Sequence, residues 1–237
     1  MKNRTFVTIL IVTALLGLHK ISTFAFDVPK MNLPISLPAN PLTSNNSSYK
    51  LQIGAVNSSV DQASTFMNNS VFALSEILLS KEKVQELKLT KDDILSKTKD
   101  KEKQATLNKI STDYMAALQA EIEKNTINTK VSQLNSKQKE LYANAVYNVG
   151  LAGLNYTDAS IQATQLVQTI SANPTAAAGL VFEVKQLNKL VTSLPQQAKT
   201  TATLTNNLVK IGTANKIMVK LPTSKADLPK SVDINLK

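Results

Sequence analysis

Apolar side chains recur at three- and four-residue steps along most of this chain, the spacing that lines one side of an α-helix. The first stripe is Val56, Val60, Ala63, Met67, Val71, Leu74 and Leu78. It predicts a helix over 56–79 in a body that begins near Tyr49. A densely charged stretch follows, in which Thr90 and Asp93 have the spacing of a capping arrangement. A second long helix is expected from there, with Ile94, Leu107, Ile110, Tyr114, Leu118 and Ile122 as its apolar side. After a break at residues 125–128, Ser136 reads as an N-cap. Leu141, Ala145, Val149, Ala152, Tyr156, Ala159, Ala163, Leu166 and Ile170 then carry a third helix to Ser171.

Asn173 before Pro174 reads as a cap followed by proline at the first helical position, so a fourth helix is expected to start there. Its stripe is Leu180, Val184, Leu187, Val191 and Leu194. Pro195 is expected to kink or break it before Ala198, Ala202 and Val209 resume the pattern as far as Ala214. Residues 216–221 alternate, as do Val232, Ile234 and Leu236, and both runs read as strands. Asp227-Leu228-Pro229-Lys230 echoes Asp27-Val28-Pro29-Lys30, a match short enough to arise by chance. The expected fold is mainly α: an antiparallel bundle of about four to five long helices, with a small β element formed by the terminal segments.

Ahead of the body, Lys2 and Arg4 precede an apolar run from Phe6 to Leu18 and a small-residue stretch from His19 to Ala25, the order of a cleavable signal peptide. At about 13 residues the run is too short for a permanent membrane span. Cleavage is expected after Ala25, so the mature protein is extracytoplasmic, in a periplasm or the medium. Residues 26–48 hold Pro29, Pro34, Pro38 and Pro41 and a Ser/Asn cluster, which disfavours helix. The chain is thus read as a removed leader over 1–25, an extended segment over 26–48, a helical domain over 49–215 and a basic C-terminal segment over 216–237.

Composition narrows the chemistry. The chain has no cysteine, so its stability rests on a buried core and not on disulfides. Tryptophan is absent and aromatics are few, which argues against a stacking platform for sugars or bases. Loss of Lys2, Arg4 and Lys20 with the leader leaves 24 lysines against 17 acids, a net charge of +7, and no arginine. From Asp27 to Glu183 there are 15 lysines and 15 acids; from Val184 onward there are nine lysines and two acids. The C-terminal quarter is therefore the part that attracts anionic surfaces. Without the planar guanidinium fork, specific nucleic-acid recognition is not expected.

The only histidine, His19, falls in the leader, so the mature chain has neither imidazole nor thiol. Ser-His-acid and Cys-His catalysis and histidine-bearing metal sites are thereby excluded. Ser80 and Lys83, Ser96 and Lys99, and Ser136 and Lys139 have the serine–lysine spacing of some acyl transferases, but the accompanying Ser-Asp-Asn and Lys-Thr-Gly elements are missing. Ser80 and Ser136 make better sense as helix caps. The acidic pairs Asp92 and Asp93, Asp100 and Glu102, and Glu121 and Glu123 are interleaved with lysine, as on a solvated helical face. Glycine-rich phosphate loops are missing too, since Gly150 and Gly153 sit inside a helical pattern, where small residues let a neighbouring helix approach.

Lys185, Lys189, Lys199 and Lys210 fall within roughly 40° of one direction at about 100° per residue, opposite the apolar stripe. They are the candidate contact residues for an anionic envelope surface or an acidic protein. The expectation is a non-enzymatic helical-bundle binding protein, with no catalytic residue, cofactor or metal assigned. A second reading starts from the nearly neutral hairpin 141–182, whose charges are Asp158 alone on its helical arm and no others to its end than Glu183 beside it. It would make the protein a membrane-active pore former inserting that hairpin, whereas the opposing interpretation buries the same helices at the bundle centre. A hydrolase using a carboxylate pair is the third.

Overall fold

The computed structural model describes residues 46–124, 126–173, 175 and 179–232. The leader expected over 1–25 and nearly all of the segment expected over 26–48 lie outside these residues. The described chain is helical: α1 (Asn46–Leu78), α2 (Lys81–Ser96), a 3-10 turn at Asp100–Glu102, α3 (Lys103–Ile122), α4 (Ile127–Ser132), α5 (Ser136–Ala172) and α6 (Val181–Ala214).

Side-chain pairs fix the directions. Glu76 meets Lys88 at 2.7 Å and Phe72 lies under Lys91, so α2 runs back along α1. Asn68 bonds Asn108 at 2.7 Å and Phe72 packs edge-on against Tyr114 at 4.8 Å, so α3 runs forward beside α1. The Tyr142 hydroxyl donates to the Leu208 carbonyl at 2.6 Å, while a Cβ at Gly153 would meet Thr201, so α5 and α6 are antiparallel. Lys50 and Glu183, 3.9 Å apart, put the starts of α1 and α6 at the same end. Helix α5 therefore lies between α1 and α6 and opposes both. Its stripe, from Leu141 and Tyr142 through Val149, Ala152 and Ala159 to Ile170, is buried in the one core with Val71 and Leu74 of α1 and Leu187, Leu204 and Leu208 of α6.

Several local expectations are corrected. Thr90 is inside α2, its hydroxyl bonded to the Glu86 carbonyl at 3.0 Å. Helix α2 starts earlier because Val84 and Leu87 already face the core, and its cap is Ser80, which accepts from the Lys83 amide at 3.3 Å. The chain then breaks before α3, so the second helix is really two. At α5 the cap is Asn135, not Ser136. Its backbone is still extended, and it exchanges bonds of 2.9 and 3.0 Å with Gln138 in a capping box. Asn173 closes α5 instead of opening the next helix, its side chain donating to the Thr169 carbonyl at 3.1 Å. The turn into α6 comes at Gly179, whose φ of 89° suits glycine, and α6 begins at Val181.

Pro195 does not interrupt α6, which is helical from Val181 to Ala214. The ring is exposed, while Leu187, Leu194 and Leu204 anchor both halves of the helix in the core. Helix α1 likewise begins before Tyr49, at Asn46. There is no strand among the described residues, so 216–221, expected as one, forms none, while Ile234 and Leu236 of the other expected strand lie outside them.

Helix α6 ends in a Schellman motif. The Ile217 amide donates to the Gly212 carbonyl at 2.8 Å and the Lys216 amide to that of Thr213 at 3.1 Å. Lys216 takes the left-handed position with φ 58°, and Ile217 is buried beneath it. The chain then packs against α5 as a strap, residues 217–232, with a bend at 223–227. Alternation in its sequence reflects this one-sided packing on a helix and not a sheet partner.

Candidate functional site

Lys185, Lys189, Lys199 and Lys210 are all exposed and all on α6, on the side opposite buried Leu187, Leu194 and Thr201. None of them takes part in an ion pair among the described residues. Helix α6 has one acid, Glu183, and that carboxylate is directed to Lys50. At 1.5 Å rise per residue the row from Lys185 to Lys210 is roughly 37 Å long. The row lies on the convex outer side of the helix, and α6 adds no acid to it other than Glu183.

The remaining C-terminal lysines divide. Lys216 and Lys220 are exposed past the end of α6. Lys225 instead reaches the carboxylate of Asp158, which also accepts from Gln162, and Lys230 lies over the Tyr147 ring at 5.3 Å. These two are spent on seating the strap. The strap also explains the small and polar residues of α5. A Cβ at Gly150 would lie 3.0 Å from the Pro222 ring, and Asn148 and Asn144 bond the backbone of Lys230 and Ser231. Asp227 caps the bend at 223–227, accepting from the Thr223 and Ser224 amides. Those bonds hold its carboxyl below the usual range.

A concavity is lined by residues of α1, α3, α5 and α6. It has a volume of about 410 Å³ and is lined by Ser64, Asn68, Asn108, Ser111, Tyr156 and Thr201, among others. Ser64 and Tyr156 share a hydrogen bond of 3.1 Å. Burial, eased by that bond, raises the Tyr156 phenol above its ordinary value, so it is neutral at physiological pH. The other lining groups are hydroxyls, carboxamides and thioethers, which can bind by hydrogen bonds but cannot exchange protons near neutrality.

One member of each acidic pair is held by lysine. Asp93 is bound to Lys97 and Asp100 to Lys103, each at 2.7 Å. Glu121 is buried between Lys124, at 2.6 Å, and Lys130. No cluster of three or more potential metal ligands occurs among the described residues. The serine–lysine pairs form no common centre either: Ser80 caps α2 and the Ser96 hydroxyl is bonded to the Asp93 carbonyl at 2.8 Å. In the 141–182 segment the apolar side of α5 is buried, and no described helix is long and apolar enough to cross a membrane.

Compared with known proteins, the chain matches no family model, no curated protein and no solved structure. The fold and the charge pattern therefore stand as the basis for function. Two features of the α6 surface escaped the sequence reading: Val181 and Phe182 are 81% and 68% exposed. Their signal was present, because both fall off the Leu180, Val184 and Leu187 stripe.

Proposed function

We propose that this chain is a non-catalytic helical-bundle binding protein that works outside the cytoplasm and docks on an anionic surface through the outer face of α6. The observation that carries the reading is the row of Lys185, Lys189, Lys199 and Lys210, exposed and without ion pairs among the described residues, on a helix whose one acid is turned aside to Lys50. Salt should weaken such docking, because the Debye length falls from about 10 Å at 0.1 M to about 3 Å at 1 M. Each lysine near an anionic surface contributes on the order of 1 kcal/mol, so replacing all four with glutamine should cost two to three decades of affinity, about 3–4 kcal/mol.

The test is binding of residues 26–237, which include the compact unit Leu42–Lys237, to immobilised heparin and to anionic vesicles at both ionic strengths. The parent should bind at low salt and release at high salt, and the four-glutamine variant should bind weakly throughout. Binding that ignores both salt and the lysines would overturn the reading in favour of insertion of the 141–182 hairpin, since apolar burial is not screened.

A further inference from the structure

Resting on that reading, we propose that the anionic partner is a lipid bilayer, entered by an apolar tip of Val181 and Phe182 while the lysines engage the headgroups. The two residues open α6 immediately ahead of Lys185. On a helical projection they lie roughly 40° and 60° to either side of Lys185, Val181 at one edge of the sector the lysine row occupies and Phe182 about 20° beyond the other. Both are exposed, at 81% and 68%, although the buried Leu180 next to them shows that an inward position was open to apolar side chains here. The tip is not isolated. The Lys50–Glu183 pair brings the start of α1 to this end, and Leu51, beside Lys50, is 77% exposed.

Charge is arranged to suit the same surface. Glu183, which would repel anionic headgroups, is directed to Lys50, and no other acid occurs on α6. A row of single ammonium groups on a convex helix offers no concave pocket for an acidic peptide and no bidentate fork for one carboxylate. It does match a plane of dispersed anions, and an aromatic and an aliphatic side chain beside lysines is the composition of helices that rest in the headgroup region. Phe182 and Val181 would sink into that region at one end of the row, which gives the helix a defined orientation on the surface.

The chain has no tryptophan, so Phe182→Trp is a single reporter of the tip. The probe is residues 26–237 with vesicles of phosphatidylglycerol or of phosphatidylcholine at low salt. On phosphatidylglycerol the emission should shift to the blue and be quenched by brominated acyl chains. Leu89→Trp, placed at an exposed position on α2, should bind equally and keep its aqueous spectrum. Phe182→Ser should weaken vesicle binding about ten-fold while leaving heparin binding unchanged. Co-sedimentation without a blue shift would overturn the apolar tip and leave the lysine docking intact. Binding to heparin but not to vesicles would overturn the lipid assignment in favour of an acidic macromolecule. Binding to neither would overturn this inference together with the reading beneath it.

Discussion

The side chain of Asn148 grips the backbone of Lys230 as a neighbouring strand would: its amide donates to the Lys230 carbonyl at 2.8 Å, and its oxygen accepts from the Lys230 amide at 2.7 Å. Asn148 is 2% exposed, so a replacement without polar atoms loses both bonds and leaves the strap held by Asn144, Tyr147 and Lys225. Asn148→Leu should therefore free the strap before it unfolds the bundle. Two lost bonds amount to about 1–3 kcal/mol, and the local opening constant should rise about 5- to 150-fold. Limited trypsin digestion checks this, because Lys220, Lys225 and Lys230 lie in the strap. Faster cleavage there with unchanged far-ultraviolet circular dichroism is the expected result; equal cleavage rates would refute it.

Two helical glycines should respond to alanine with opposite signs. At Gly54 a Cβ would meet nothing within 4 Å, so Gly54→Ala should add about 1 kcal/mol through helix propensity and raise Tm by about 2–4 °C. At Gly212 the Cβ would lie 3.1 Å from Val219 and 3.2 Å from the Tyr142 ring. Tyr142 is fully buried and tied to Leu208, so it cannot yield. Gly212→Ala should lower Tm despite the same propensity gain, since overpacking costs about 1–3 kcal/mol. Thermal melts of the two variants decide the matter.

Glu121 sets an acid limit on stability. Burial disfavours its charge, but hydrogen bonds from Lys124 and Lys130 and their positive charge outweigh burial and hold the carboxyl below its ordinary value of 4.5. A group whose pKa is lower folded than unfolded stabilises the fold at pH above the unfolded value, and the contribution disappears as pH falls through the folded one. Glu121→Gln should lower stability at neutral pH and flatten the decline below pH 4.5. Urea midpoints measured from neutral pH down to about pH 3 test this; a parallel decline in both proteins would contradict it.

The long helices were legible because periodicity reports burial directly: the α5 stripe from Leu141 to Ile170 is the buried stripe observed. Ends were harder to read. Asn135 and Ser136 are both good caps, and only the backbone at Asn135 shows which residue is still outside the helix. Thr90 misled because a Thr-x-x-Asp spacing carries no information about Val84 and Leu87, whose burial extends the helix upstream. Residues 216–221 read as strand because alternation records one-sided packing and does not distinguish a helix partner from a strand partner. Of the α6 surface, the four lysines were readable from spacing, whereas their lack of acidic partners among the described residues depends on which way Glu183 and the neighbouring helices face.

Pro195 lies between the two halves of the lysine row, with Lys185 and Lys189 before it and Lys199 and Lys210 after it. Proline inside a helix removes one backbone hydrogen bond and its ring crowds the preceding turn, at about 3 kcal/mol relative to alanine. Here α6 remains one helix because buried Leu187 and Leu204 hold the two halves. Pro195→Ala restores the amide donor at an exposed position, where the new side chain meets no packing constraint. It should raise stability by about 1–3 kcal/mol, part of the gain being offset by the greater freedom of the unfolded chain. If the proline also sets the angle between the two lysine pairs, heparin binding at low salt should change together with Tm. Stability that rises while binding is unaltered would show the row to be a sum of independent charges; stability that falls would show that the packing of α6 requires the proline.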